Sequence, residues 1–300
     1  MRLDLAGTSL DVDRARPLVM AIVNVGEDSV ADPLHLQTLS AQLQHARAQI
    51  AAGAAIVDIG VQSGRTDTPI ISEQREIDLL TPLVAALADD GATVSVDTWR
   101  AGVAAAAVQA GAAIVNDVSG LADPGVAEVA AQTGAALVLM HTKAPPKVAR
   151  FPGYEDPLDD VQAMLERLMQ QASGAGVSEE QMILDPGLDY AKTPAESIEV
   201  LRRIGELQSL RRPLLLAVSR KYFLGMMRAR LPEQRLGATL AAIGFGVDAG
   251  AAIVRVHDVA AVLDYLAVRA DLRGKEPVEL LGDPHAEQLK WLPPKRATQR

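Results

Sequence analysis

The stretch that decides the fold is GAAIVDIG, at residues 53–60. It consists of a glycine, a short apolar run of Ala, Ile and Val, and a polar residue near its end. Close relatives of this stretch begin at Gly91, Gly111, Gly134 and Gly250. The same pattern without the leading glycine recurs as LVMAIVN, MILDPG and LLLAVSRK, at residues 18–24, 182–187 and 214–221. Self-similarity of this kind predicts a fold that repeats one supersecondary unit.

Each unit has the composition of a buried parallel strand. Most units follow an Ala/Leu-rich segment with helical spacing, such as TLSAQLQHARAQIAA at residues 38–52. The glycine between the two supplies the left-handed conformation that ends a helix. The units recur roughly every 20–45 residues, which is the length of one strand plus one helix.

Eight such units alternating with helices predict an α/β fold, the (β/α)8 TIM barrel. The competing architecture is an open doubly wound sheet, whose first turn often carries a glycine fingerprint. Here the first strand is followed by VGEDSVAD at residues 25–32, which lacks that fingerprint. We therefore expect a single-domain barrel over residues 17–274, with a lead-in at 1–16 and a tail at 275–300 that ends in the basic sequence WLPPKRATQR.

The composition argues against several classes of function. The chain has no cysteine, so neither disulfides nor thiolate–metal sites hold it together, which is compatible with the cytoplasm as its predicted location. Its start, MRLDLAGTSL, has no secretory pattern, and no apolar run is long enough to span a bilayer. A net charge of -9 and an aromatic content of 3% argue against a nucleic-acid surface. The expected partners are small molecules, not nucleic acid or membrane.

Polar side chains follow the strand units, and in a barrel the carboxyl ends of the strands share one rim that carries the chemistry. Burying such a ring is costly unless its members pair or meet a ligand. The polar residues at the predicted strand ends are Asn24, Asp58, Asp97, Asn116, Asp117, His141, Asp185, Ser219, Arg220, Lys221, Arg255, His257 and Asp258.

Taken singly, several of these residues have a purely structural interpretation. Asp58, Asp117 and Asp258 could each cap a helix or brace the barrel. His141 could be a hydrogen-bonded core histidine, and Lys221 a solvated loop lysine. Their coincidence at one rim favours a binding site.

The donors and acceptors of the rim suggest its ligand. Arg255 and His257, on the last strand, add positive charge where barrels commonly bind phosphate. No metal-binding spacing such as H-E-x-x-H is present, but a magnesium ion held mainly by substrate phosphates needs only Asn24 or Asp28. A flat heterocycle with an amino–lactam edge suits the mixture of groups on four residues: Asp97, Asn116, Asp185 and Lys221.

Five ordered blocks resemble the dihydropteroate synthase family, and together with the first strand they span roughly residues 17–274. Each block alone would be weak, but their common order and spacing make a specific signal. The blocks are VSVDTWRAGVAAAAVQAGAAIVNDVSG (94–120), LVLMH (137–141), ILDPGLDYAKTP (183–194), AVSRKYFLG (217–225) and RLGATLAA…GAAIVRVHDV (235–259).

The resemblance implies a (β/α)8 barrel, usually a homodimer, that joins 4-aminobenzoate to a dihydropterin methyl pyrophosphate and releases pyrophosphate. It implies that Mg²⁺ lies beside Asn24 and that Ser219 lies near the aminobenzoate carboxylate. The same resemblance implies that Asp97, Asn116, Asp185 and Lys221 hold the pterin, that Asn24, Arg255 and His257 hold the pyrophosphate, and that Asp28 and Arg65, from the first two loops, close over the reaction.

The first two loops depart from the family pattern. The first normally reads N-x-T-P-D-S-F-x-D-G-G and here reads NVGEDSVADPL; the second normally reads G-G-E-S-T-R-P and here reads GVQSGRT. The changes lie on the aminobenzoate side of the reaction, whereas the pterin side is intact. The changed positions are Gly26, Glu27, Val30, Val61, Gln62, Gly64 and Thr66.

Three functions therefore stay open at the level of the sequence. The first is dihydropteroate synthesis, and the second is a paralogue that binds a pterin without condensing aminobenzoate. The third is a different barrel enzyme, either a methyltetrahydrofolate methyltransferase or a Schiff-base aldolase that uses Lys221. The long segment 142–160 is expected either to cover the pocket or to be a solvated excursion.

Overall fold

The computed structural model of the protein describes residues 1–26, 38–62 and 69–274. The chain starts with an antiparallel hairpin of β1 (Arg2–Leu5) and β2 (Thr8–Asp11). Within the described residues, eight further strands form one sheet. They are β3 (Leu18–Asn24), β4 (Ile56–Gly60), β5 (Val94–Asp97), β6 (Ile114–Asp117), β7 (Ala136–Met140), β8 (Met182–Asp185), β9 (Leu215–Leu216) and β10 (Ile253–Val256).

Helices alternate with these strands, as the repeated units predict. The left-handed glycine stops are confirmed, because Gly53, Gly91, Gly111, Gly134 and Gly250 all have positive φ. The α-helices are α1 (Leu39–Ala51), α2 (Glu73–Asp89), α3 (Ala101–Gln109), α4 (Gly125–Thr133), α5 (Pro157–Gly174), α6 (Pro194–Arg203), α7 (Tyr222–Arg228), α8 (Leu236–Asp248) and α9 (Val259–Arg273).

The strands pair in parallel in the order β8-β7-β6-β5-β4-β3-β10-β9. The two ends of this sheet then meet: Leu184 of β8 forms a parallel bridge with Leu214, and the Leu184 N–H donates to Pro213 O at 2.9 Å. This contact closes the sheet, so the predicted (β/α)8 barrel is confirmed.

The hairpin covers the amino end of the barrel. Leu3, Leu5 and Val12 are 0%, 4% and 1% exposed, and they pack on the inward side chains at the start of the strands. Those inward side chains are apolar and include Met20 and Ile56. A second and larger apolar cluster lies between the sheet and the helices. The amino end is thereby sealed, which leaves the carboxyl end open for a site.

None of the helices in the described ranges combines the length and apolar character needed to cross a bilayer. The predicted tail at residues 275–300 lies outside the described residues.

Candidate active site

A buried cluster of charges lies at the centre of the carboxyl end. Arg255 of β10 donates from Nε to Asp58 Oδ2 at 2.6 Å and from Nη2 to Asp97 Oδ2 at 2.9 Å. Asp58 is fully buried and also accepts the Ser95 hydroxyl at 2.6 Å and the Asn116 Nδ2 at 3.1 Å. One aspartate therefore fixes the ends of β5, β6 and β10.

Two carboxylates share the single guanidinium of this cluster, and one of them, Asp97, has a shifted pKa. Burial raises the pKa of Asp97 to about 7, and the nearby Arg255 charge only partly opposes that rise. Nη1 of Arg255 donates to none of the described residues. The cluster thus offers a ligand one acceptor that titrates near neutrality and one rigidly held donor.

Asp185 and Lys221 lie at the same rim, and each is hydrogen-bonded to the loop after β8. Asp185, at the end of β8, is 4% exposed and accepts the Gly187 N–H at 2.7 Å. Lys221 precedes α7; its Nζ donates to Leu188 O at 2.6 Å and lies 5.0 Å from the Tyr190 ring centroid. Burial raises the pKa of Asp185 and lowers that of Lys221, and each charge opposes the shift of the other. The two charges therefore stabilise each other electrostatically, while each group makes its hydrogen bond to the loop after β8.

The ends of β9 and β10 are joined by Ser219 and His257. The Ser219 Oγ lies 2.9 Å from His257 Nδ1, and the His257 N–H donates to the same oxygen at 3.2 Å. Arg220, between Ser219 and Lys221, instead forms a bidentate pair with Asp258 at 2.6 and 3.0 Å. The predicted polar ring therefore contains Ser219 and Lys221, whereas Arg220 links α9 to the strand end.

Asp117, His141 and Asp58 could each have had a purely structural role, and the structure shows a different role for each. Asp117 is a local cap, since it accepts the N–H groups of Ser119 at 3.0 Å and Leu121 at 2.6 Å. His141 is a buried, hydrogen-bonded histidine, 0% exposed, with Nε2 at 2.9 Å from Asp160 Oδ1. Burial lowers the pKa of His141 to about 4, so its ring is neutral at pH 7. Asp58 caps no helix; it braces the barrel through Arg255.

Two residues of this region were missed by the sequence reasoning. Lys192 is 1% exposed and contacts His141, and Tyr190 lies beneath the Lys221 ammonium. Both fall within the quoted block ILDPGLDYAKTP, yet a lysine next to a helix start looks like a solvated residue. Only the three-dimensional neighbours reveal that Lys192 is buried.

The two altered loops touch where they leave the barrel. The Val25 N–H donates to Gly60 O at 2.9 Å, and a Cβ atom on Gly26 would lie 2.2 Å from Val61 O. Any side chain at position 26 would thus force the loop bases apart. Gln62 accepts the Ile71 N–H at 2.9 Å, which anchors the return of the second loop. The predicted residues Asp28 and Arg65, with Glu27, Val30, Gly64 and Thr66, lie outside the described residues.

Of the two candidate magnesium ligands, Asn24 and Asp28, Asn24 lies within the described residues. It ends β3, and a Cβ atom on the neighbouring Gly60 would lie 3.5 Å from its Oδ1. Residues 1–26, 38–62 and 69–274 contain no group of three His, Cys, Asp or Glu side chains placed to hold a metal. One amide oxygen suits an ion held mainly by phosphate oxygens and water, and it does not suit an ion held by protein alone.

The segment after β7 is partly tied down. The Tyr154 hydroxyl donates to Ala191 O at 2.9 Å, and Lys143 pairs with Asp160 at the start of α5. Phe151, between them, is 60% exposed. The segment is therefore anchored to the loop after β8 and carries an exposed apolar tip. Coverage of the pocket by this segment stays a prediction.

The chain is similar to known proteins in both sequence and structure. A family model described as pterin binding enzyme matches residues 20–257. The dihydropteroate synthase of Bacillus subtilis is 39% identical over 248 residues, covering 82% of this chain and 85% of its own. That of Escherichia coli is 35% identical over 279 residues, with 92% and 98% covered. The structure of the Xanthomonas albilineans dihydropteroate synthase with 4-aminobenzoic acid superposes with a TM-score of 0.84 at 35% identity, covering 92% of this chain and 99% of that one.

Proposed function

The chain belongs to the pterin-binding enzyme family, and we propose that it acts as its dihydropteroate synthase relatives do. It is a transferase that condenses 4-aminobenzoate with a dihydropterin methyl pyrophosphate and releases pyrophosphate, a step of folate biosynthesis. The observation that carries this function is the position of buried Asp185 and of Lys221 at the same rim as the Arg255 cluster, where each is hydrogen-bonded to the loop after β8.

The pterin is proposed to bind through its amino–lactam edge. Asp185 and Asp97 would accept its N–H groups, and the Lys221 ammonium, with protons beyond the one given to Leu188, would donate to its ring acceptors. Asn116 donates one N–H to Asp58, which leaves its carbonyl oxygen and its second N–H for a ligand. An analogue without this edge would leave buried polar groups unpaired, which makes the pocket selective.

The pyrophosphate is proposed to leave toward Arg255 and His257. The bond between the pterin methylene and the pyrophosphate oxygen breaks, and the aromatic amine forms the new C–N bond and then loses a proton to water. Asp58 and Asp97 hold the Arg255 guanidinium in place before the reaction, so Nη1 can stabilise departing charge without reorganisation. The amine is neutral, so no strong base has to act before the attack. Ser219 is proposed to lie near the aminobenzoate carboxylate.

Magnesium is part of the proposal as an ion held with the substrate. Asn24 would supply the protein ligand among the described residues, and Asp28 the second candidate. When bound, the ion neutralises charge on the pyrophosphate. The proposal is supported by the donor set, since one amide oxygen fits a phosphate-held Mg²⁺.

The direct test uses purified protein with 4-aminobenzoate, dihydropterin methyl pyrophosphate and Mg²⁺. We expect equimolar dihydropteroate and pyrophosphate, and loss of both products in Lys221→Ala. Calorimetry with 6-hydroxymethylpterin, run beside the assay, separates binding from turnover. Absence of dihydropteroate at saturating substrates would overturn the proposed function.

A pterin-binding protein without condensation is the second candidate, and the altered loop bases favour it. Gly26 replaces the threonine of the family pattern, and the Val61 carbonyl fills the space that a side chain would need. This candidate predicts pterin binding in calorimetry with no dihydropteroate in the assay. Efficient turnover removes it.

The remaining proposals concern assembly and location. We propose a homodimer, and exposed apolar side chains of α7 and α8 support it: Met226, Met227 and Phe245 are 56%, 45% and 49% exposed. Analytical ultracentrifugation tests this, with a monomer as the contrary result. A cytoplasmic location and the division into lead-in, barrel and tail also remain proposals.

A further inference from the structure

Lys192 is a buried charge that the reaction described above does not use. Its side chain is 1% exposed, yet its Nζ lies 2.7 Å from His141 Nδ1, 2.8 Å from Gly187 O and 3.3 Å from Tyr190 O. An ammonium group has three protons, and these three acceptors use all of them. The charged form of Lys192 is therefore fully hydrogen-bonded.

The bond to Lys192 determines the tautomer of His141. When Lys192 carries its proton, the ammonium donates to Nδ1, and the ring proton then lies on Nε2, which faces Asp160 Oδ1 at 2.9 Å. Asp160 belongs to the first turn of α5, and Lys143 pairs with it from the exposed side. A continuous line of hydrogen bonds thus joins α5, through β7, to the loop after β8.

The loop held in this way, residues 187–190, carries the groups that orient the candidate pterin site. Leu188 O accepts the Lys221 ammonium, and the Asp189 carboxylate accepts the Phe223 N–H in the first turn of α7 at 3.2 and 3.3 Å. Gly187 donates to Asp185 and has φ +64; a Cβ atom there would lie 1.9 Å from His141 O. The backbone at Gly187 therefore packs directly against the end of β7, with no room for a side chain at this position.

We propose that Lys192 is a positioning residue for the pterin site: through His141, Gly187 and Tyr190 it fixes the loop at 187–190 so that Asp185 and Lys221 face the ligand together. Lys192 acts through these neighbours and does not touch the ligand. The inference rests on the proposed function, and it extends the site by a second layer of residues. An apolar side chain could fill the same volume, but it could not direct two carbonyl groups and a ring nitrogen.

Calorimetry with 6-hydroxymethylpterin on two full-length variants tests this role. Lys192→Met should weaken binding by about tenfold or more, because the loop loses the donor that fixes it. Lys143→Met is the matched control: it removes a partner of the same Asp160 from the exposed side, and we expect its affinity to stay within about twofold. Equal affinities of folded Lys192→Met and wild type would overturn the proposal.

A second pair of variants isolates the acceptor at position 141. Asn and Leu are nearly isosteric, but only Asn keeps an acceptor for the Lys192 ammonium. We expect His141→Asn to bind the pterin within about threefold of wild type and His141→Leu to lose about tenfold. The same affinity in both folded variants would contradict a directional role for Lys192.

Long-range ¹H–¹⁵N NMR of the wild-type protein gives a readout that needs no variant. The expected signature of His141 is a proton on Nε2 and a free Nδ1; a proton on Nδ1 would overturn the proposal. This measurement also separates the two hypotheses. If the wild type binds no pterin, the proposed function fails, whereas the tautomer still reports whether Lys192 donates to His141.

Discussion

The two ends of the barrel are built from the same strands and yet have opposite chemistry. On β8, Ile183 faces the sealed amino end and Asp185 faces the open rim. The two side chains lie on the same face of the strand, about 6–7 Å apart along it. The same step from isoleucine to a polar residue occurs on four strands: Ile56 to Asp58, Ile114 to Asn116, Ile183 to Asp185 and Ile253 to Arg255.

The difference between the ends lies in how specific their contacts are. The isoleucines are stabilised by removal from water, which has no direction and accepts any neighbour of suitable volume. The polar residues above them need particular partners, as Arg255 needs both Asp58 and Asp97. A single pleat therefore separates the part of the barrel that supplies stability from the part that supplies chemistry. Substitutions in the two layers should have separable effects.

Ile183→Ala should give the largest change in stability. The side chain is 0% exposed in the layer that the hairpin covers, so truncation should lower the free energy of unfolding by about 2–5 kcal/mol. We expect pterin affinity to change by less than about twofold, because Asp185 remains in place. Urea unfolding and calorimetry on the same preparation measure both quantities. A large loss of affinity in the folded variant would show that the layers are not separable.

Asp185→Ala should give the reverse pattern. Removal of the buried carboxylate takes the acceptor from the pterin edge and a nearby negative charge from Lys221, so affinity for 6-hydroxymethylpterin should fall by about 100-fold or more. Asp185→Asn is the matched control for the fold, because its carbonyl oxygen can still accept the Gly187 N–H. It should unfold like the wild type while still losing affinity. Wild-type affinity in either variant would contradict the assigned role.

The pH dependence of binding should give the most gradual effect, and it should sharpen the contrast because the isoleucine layer contains no group that titrates. Burial raises the pKa of Asp97 to about 7, so the free protein holds a proton there below pH 7. A pterin N–H that needs the ionised carboxylate must displace this proton. Affinity should therefore fall by about tenfold for each pH unit below 7.

Asp97→Asn should reduce this loss of affinity at low pH, because Asn has no proton to release; the part that remains is due to Asp185, whose pKa burial also raises. This loss of affinity below pH 7 can be measured separately from the titration of Lys192. Burial lowers the pKa of Lys192 to about 7, so Lys192 loses its proton above pH 7. Calorimetry from pH 5 to pH 7 on both proteins is sufficient. A wild-type affinity that is independent of pH over this range would argue against contact between the pterin and ionised Asp97.

The sequence predicts the barrel well because its signal is local and repeated. The apolar runs, their leading glycines and the polar residue at each end can be read without knowing the partners, and all eight strands lie where the repeats place them. For the candidate site, the sequence predicts which residues lie together at the rim. The partner of each charge is not predicted, as Arg220 shows: it lies between two rim residues, yet it pairs with Asp258.

The sequence by itself determined the fold, the open end of the barrel and the family, because periodicity and motif order are properties of neighbouring residues along the chain. Only the tertiary structure decided which charges pair. Asp58 with Arg255, and Lys192 with His141, are 197 and 51 residues apart in sequence. The strength of such pairs depends on distance and burial, which barrel closure sets and no local pattern encodes. For that reason Lys192 looks like a surface lysine in the sequence, whereas in the structure it is buried and its amino group lies within hydrogen-bonding distance of three acceptors.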